Sequence, residues 1–179
     1  MGTIKATNIE PIADNGTVTL GSSGDTFSLG SGVVQSNLNY PAFEASVGTL
    51  TTISSATFTK VPCDTEAFDT DGYYDSATNY RFTPLVAGKY YVYAFTRIDG
   101  ADANKILDLQ AKIYKNGSAY VANRYNFNST ENRFTASIYT TLELNGSTDY
   151  VESFIYSNQV TGAPKISTDA LFGAYRIGS

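Results

Sequence analysis

Along most of this chain apolar and polar residues alternate one for one, the two-residue period of β-strands rather than the 3.6-residue period of helices. In 106–114, Leu107, Leu109, Ala111 and Ile113 fall on one face and Asp108, Gln110 and Lys112 on the other. In 134–144, Phe134, Ala136, Ile138, Thr140, Leu142 and Leu144 make a long alternating face closed by Asn145-Gly146. Lys115-Asn116-Gly117-Ser118 supplies the small, positive-φ residues of a hairpin turn. Further strands are expected at 41–45, 57–61, 80–83, 120–127, 150–156 and 171–177, with loops at 99–105 and 129–132 and an acidic, turn-rich stretch at 64–75. Gly, Ser, Thr and Asn punctuate the chain between these segments, and about nine or ten strands fit a two-sheet sandwich or jelly roll. The expected fold class is all-β.

The segment 89–98 breaks the rule of one dry and one wet face. Tyr90, Val92, Ala94 and Ile98 point one way, while Tyr91, Tyr93 and Phe95 point the other, with Lys89 and Arg97 at the ends. The opposite sheet of a sandwich covers one face. The other needs a second cover, for which a further copy of the chain is the economical candidate; a central position in a thick single-chain sandwich is the alternative. Residues 150–156 are likewise apolar on both sides apart from Glu152. Tyr91, Tyr93, Phe95, Tyr150 and Phe154 are therefore the interface candidates in the main domain.

Residues 1–39 have a different texture. Thr17-Val18-Thr19-Leu20-Gly21-Ser22 reappears nine residues later as Thr26-Phe27-Ser28-Leu29-Gly30-Ser31. Each unit is a short strand carrying two apolar residues, and one or two such units cannot bury their own stripe. Wrapping several chains together would bring Val18, Leu20, Phe27 and Leu29 against their symmetry mates; a flexible Gly/Ser linker is the alternative, but it would not need apolar residues in register. The expected division is an arm or stem at 1–39 and a head at 40–179.

Composition removes several function classes. With no His among 179 residues, no Ser-His or Cys-His relay can form within the chain, and the commonest zinc ligand is missing. A formal charge of −5 and a pI near 4.6 repel phosphate, so no nucleic-acid partner is expected. No stretch approaches the roughly 20 apolar residues of a membrane span, and the first residues lack the apolar run of a signal peptide, which implies synthesis in a cytoplasm. Asn128-Ser129-Thr130 and Asn145-Gly146-Ser147 match glycosylation acceptors but read as turns in that setting. The single Cys63 reads as a small buried residue. Asp69-Thr70-Asp71-Gly72-Tyr73-Tyr74-Asp75 begins like a calcium loop, making Asp69, Asp71 and Asp75 the metal candidates beside the alternative of a solvated acidic turn. No other cofactor is expected, and no catalytic residues are assigned.

The head resembles the jelly-roll superfamily of the complement globular head and the tumour-necrosis-factor-like domains. The matching residues are Pro41-Ala42-Phe43-Glu44-Ala45, Tyr73-Tyr74-Asp75, Tyr80-x-Phe82-x-Pro84 and Gly88-x-Tyr90-x-Val92. Lys115-Asn116-Gly117, Leu142-x-Leu144-x-Gly146 and Phe172-Gly173-Ala174-Tyr175 follow in the family's order. Val92 stands where that family usually has an aromatic residue, and Asn145-Gly146-Ser147 where it usually has Gly-Asp. The resemblance implies a ten-stranded jelly roll that assembles as a trimer. Asn15–Gly21 and Gly24–Gly32 are similar to repeats near the ends of bacteriophage fibre and virion proteins.

Together these lead to an expected non-enzymatic, homotrimeric virion surface protein, a capsid decoration or a short spike, attached to capsid or tail proteins through residues 1–39. The frame that begins at Met1 lacks the long shaft of a main tail fibre, which favours decoration. The alternative is a tail-fibre tip or adhesin that binds a host-surface glycan, and a bacterial surface trimer is a third reading.

Overall fold

A computed structural model describes residues 39–101 and 105–178, with isolated positions at 9, 18, 19, 26 and 31. The chain divides into two units, 1–36 and 37–179. Leu20, Phe27 and Leu29 lie outside the described residues, and Val18 is exposed.

Thirteen strands are formed: β1 (Ala42–Ser46), β2 (Thr51–Thr52), β3 (Thr59–Lys60), β4 (Thr65–Asp69), β5 (Tyr74–Asp75), β6 (Arg81–Phe82) and β7 (Gly88–Asp99), then β8 (Ile106–Lys115), β9 (Ser118–Glu131), β10 (Arg133–Leu144), β11 (Val151–Gln159), β12 (Lys165–Ile166) and β13 (Leu171–Gly178). Five of them are two-residue bridges, so the frame rests on the other eight. There is no helix among the described residues. One sheet runs β10-β7-β13-β1-β4, with β12 continuing the β13 side of β7 and β2 beyond it; the other runs β5-β6-β11-β8-β9, with β3 also on β11. Every pair is antiparallel, and β1 pairs with β13 across almost the whole head. Neighbours in space that are remote in sequence are the signature of a jelly roll rather than a meander.

The core lies between the sheets because the inward set of each strand is apolar. Phe43 is fully buried and stacks on Tyr74 at 4.3 Å and on Phe82 at 4.6 Å, with Phe172 edge-on at 5.1 Å. Offset and edge contacts of this kind add about 0.5–1.5 kcal/mol each to the burial of the rings. Tyr90, Val92, Ala94 and Ile98 all point into this core, as the alternation of their segment requires.

Three expectations are corrected. Leu107 does not share the apolar face of its strand: a bulge between Ile106 and Asp108 turns Ile106 inward and leaves Leu107 exposed. The stretch 64–75 is not continuous turn, because β4 finds a partner in β1 across a second bulge at Glu44/Ala45. The 129–132 loop shrinks to a tight turn at Asn132, since β9 runs on to Glu131 and β10 starts at Arg133.

The turn after β10 shows how side chains replace missing ladder bonds. Asn145 Oδ1 accepts the amides of Ser147, Thr148 and Asp149, each at 3.0 Å. Gly146 has φ +69°, and a Cβ there would stand 2.3 Å from the backbone nitrogen of Ala87, so only glycine fits. Asp149 closes the turn: it accepts Nδ2 of Asn116 at 2.7 Å, the amide of Asn145 at 3.1 Å, and Lys115 Nζ at 3.0 Å. The Asn116 bond, with the help of Lys115 and Asn145 and against partial desolvation, holds the Asp149 carboxyl below the usual carboxylate range. A lowered folded-state pKa stabilises above the unfolded value, and that contribution disappears as pH falls through the folded value. Asp149→Asn should therefore lower the urea midpoint at neutral pH, and the gap to the wild type should close below about pH 4. A gap of constant size across that range would contradict the ionised cap.

Candidate assembly face

The outward face of the β10-β7-β13-β1 sheet is built on the alternation of β7. Tyr91, Tyr93 and Phe95 point away from the core, and register sets what lies beside them. Tyr139 of β10 is opposite Tyr93, and Tyr175 of β13 is opposite Tyr91. Tyr91 consequently meets Tyr175 at 5.4 Å, Tyr93 at 5.9 Å and Tyr139 at 6.3 Å, while Tyr93 meets Phe95 at 6.2 Å. Phe68, opposite Glu44 on β4, and Ile177 near the end of β13 are exposed as well. Tyr139 stands out furthest, at 64% exposure.

Gly173 is the floor beneath Tyr93. A Cβ at this position would lie 2.5 Å from both Cζ and the hydroxyl of Tyr93, so the missing side chain is what lets the ring lie flat across β13. The Tyr93 hydroxyl then reaches β1 and donates to Glu44 Oε2 at 2.7 Å. Burial first, and then the Glu44 carboxylate, push the Tyr93 phenol well above its ordinary value, so it remains a donor. Ion pairs close the two ends of the face: Lys89 with Glu143 at one, and Arg97 with Asp99 and Asp169 at the other.

The opposite sheet handles its outer aromatic residues differently. Phe154 stacks on Tyr114 at 4.1 Å with the Lys60 ammonium 5.8 Å from its centroid; Arg81 lies 4.6 Å over Tyr150, and Lys112 lies 3.7 Å over Phe58. Lys60 also pairs with the buried Glu152 at 2.5 Å. Those cations come from within the chain and keep the face wet. Tyr150 and Phe154 therefore do not join Tyr91, Tyr93 and Phe95; they sit on the far sheet, already covered.

The edge of the aromatic sheet is guarded too. At the middle of β10, the Tyr125 hydroxyl accepts the Ser137 amide at 3.1 Å and donates to the Ser137 carbonyl at 3.0 Å, where Asn123 Nδ2 also donates. A side chain thus fills the backbone positions through which a stray strand could add. What stays open is the face.

The remaining candidates serve local structure. Asp69 accepts the amides of Gly72 at 3.0 Å and Tyr74 at 2.7 Å; Asp71 accepts the Thr70 hydroxyl; Asp75 caps the amides of Ala77, Thr78 and Asn79. These carboxylates serve separate turns rather than one calcium loop, and among the described residues no three His, Cys, Asp or Glu side chains gather as a metal cluster. Cys63 is fully buried, and burial, with the Asp64 charge behind it, pushes its thiol up to about 12. Native protein should leave a thiol reagent unreacted at mildly alkaline pH and react fully in denaturant; rapid reaction of the folded chain would contradict that packing.

No family model matches the chain, and no curated protein matches it. Among solved structures it is similar to murine APRIL, a tumour-necrosis-factor-family protein, in crystals at pH 5.0, 8.5 and 8.0. The TM-scores are 0.55, 0.55 and 0.56, each at 10% identity over 76% of this chain and 98% of the APRIL chain. The fold is a tumour-necrosis-factor-like jelly roll. At that identity the likeness speaks for the fold alone. Tyr139, Tyr175, Phe68 and Ile177 were not legible as face residues from the chain. Tyr139 did carry a signal, as one large aromatic residue among Thr135, Ser137 and Thr141 on the otherwise polar side of its strand.

Proposed function

We propose that this chain is a non-enzymatic virion surface protein that works as a homotrimer closed through the face of Tyr91, Tyr93, Phe95, Tyr139 and Tyr175. One observation supports self-association: five aromatic side chains gather on one outward, partly exposed sheet face. Tyr is the residue that suits such a role, since its ring seals a contact while its hydroxyl tolerates water in the free subunit. A stable contact buries about 800 Å² on each partner. Three copies is the number implied by the resemblance to tumour-necrosis-factor-like heads.

The virion assignment rests on the nine-residue repeat of the first 39 residues and its similarity to phage fibre ends. In this reading residues 1–39 attach the trimer to capsid or tail proteins, and the head decorates or reinforces the particle. Deleting 1–39 should leave a folded head with an unchanged β-sheet spectrum and abolish its incorporation into particles. Incorporation of the truncated head at wild-type levels would overturn the attachment role.

A further inference from the structure

Two adjoining hollows, of about 380 and 440 Å³, share Lys115 and Glu143 and together form one trough at an end of the sandwich. It lies between the β8–β9 hairpin, the last residues of β10 and the start of β7. We propose that this trough, which adjoins the aromatic face at Lys89, Glu143 and Ile177, binds a neutral saccharide.

The lining selects the ligand by elimination. Leu142 and Leu144 border it with their side chains turned into the core, and the exposed Ile177 and Tyr120 form apolar flanks. Lys89 and Lys115 are balanced by Glu143 and Asp149, so neither an anion nor a cation gains net attraction. A wholly apolar ligand would strip water from four charged groups without replacing their hydrogen bonds. A pyranose fits both demands, because it has a C–H face for an aromatic ring and hydroxyls on its rim. Tyr120 is 52% exposed on β9, and its ring meets no other ring or cation among the described residues. Glu143 has a side chain 77% exposed with Lys89 only at 4.0 Å, which leaves acceptor positions for hydroxyl protons. Lys115 uses two of its three N–H groups, on the Glu143 carbonyl at 2.8 Å and on Asp149 at 3.0 Å, and keeps one to give. The volume is in the lower range of small-molecule sites, about 300–1,000 Å³.

The test is titration of the full chain with glucose, galactose, mannose, N-acetylglucosamine and, as charged controls, N-acetylneuraminic acid and a sulfated hexose. Calorimetry or NMR shifts report binding, and native mass is recorded in parallel. At least one neutral sugar should bind, and Tyr120→Ala and Glu143→Gln should each weaken it by about tenfold or more. Tyr120 stands on β9 of the other sheet and is no part of the five-ring cluster, so Tyr120→Ala should leave native mass unchanged. Binding of none of the neutral sugars, binding of the charged controls alone, or binding undiminished in both variants would overturn the proposal. Failure here leaves assembly untouched, while a monomer that still binds sugar would remove assembly and leave the trough standing.

Discussion

Tyr139→Asp should break the proposed trimer and leave a folded monomer. In the free subunit Tyr139 is largely in water, so the change costs the fold little, within about 0.5 kcal/mol as for most surface substitutions. In the proposed assembly the same position, beside Tyr91 and opposite Tyr93, would bury a carboxylate among aromatic rings. An unpaired buried charge costs about 3–5 kcal/mol, a loss of 100-fold or more in affinity at each contact. The β-sheet spectrum and urea midpoint of the dilute protein should stay near those of wild-type monomer while native mass falls to one chain. A variant that remains trimeric would place the contact elsewhere. Arg124→Ala, on the far sheet, is the control expected to change nothing in the assembly.

Phe43→Ala attacks the other half of the structure, with the opposite signature. Its ring joins β1 to both sheets through Tyr74, Phe82 and Phe172 and has no exposed surface. Removing a buried Phe costs about 3–5 kcal/mol, from lost transfer free energy and the cavity left behind. Set against a typical net stability of about 5–15 kcal/mol, that is a large fraction of the total. The urea midpoint should fall steeply with an unchanged slope. A loss under about 1 kcal/mol would mean that the neighbouring rings close over the space, and that this four-ring stack is not the keystone of the head.

The two faces of the segment at 89–98 were fully legible in the chain, because a strand of this length states its parity many times over. Which face met the opposite sheet was not, since Tyr90 and Tyr91 carry the same side chain and only the register of β13 and β10 separates them. Tyr139 and Tyr175 join the face through pairings 46 and 84 residues distant in sequence from Tyr93 and Tyr91, and local periodicity holds no information about such partners. The same limit explains Tyr150 and Phe154: their apolar pattern was real, but the cover of Arg81 and Lys60 comes from the short strands β6 and β3, remote in sequence. Two-residue strands such as β3 and β6 are too short to show a period, and the bulge at Leu107 breaks the period where it did exist. Asp69 and Asp75 looked like ligands because metal loops and capped turns use the same residue types at the same short spacings.

Self-association through the aromatic face is most directly tested by the native mass of the full chain, by light scattering on a sizing column at micromolar concentration. Three times the 19.3 kDa chain mass is the expected result. A stable monomer under those conditions, with Tyr91, Tyr139 and Tyr175 still open to water, would contradict it.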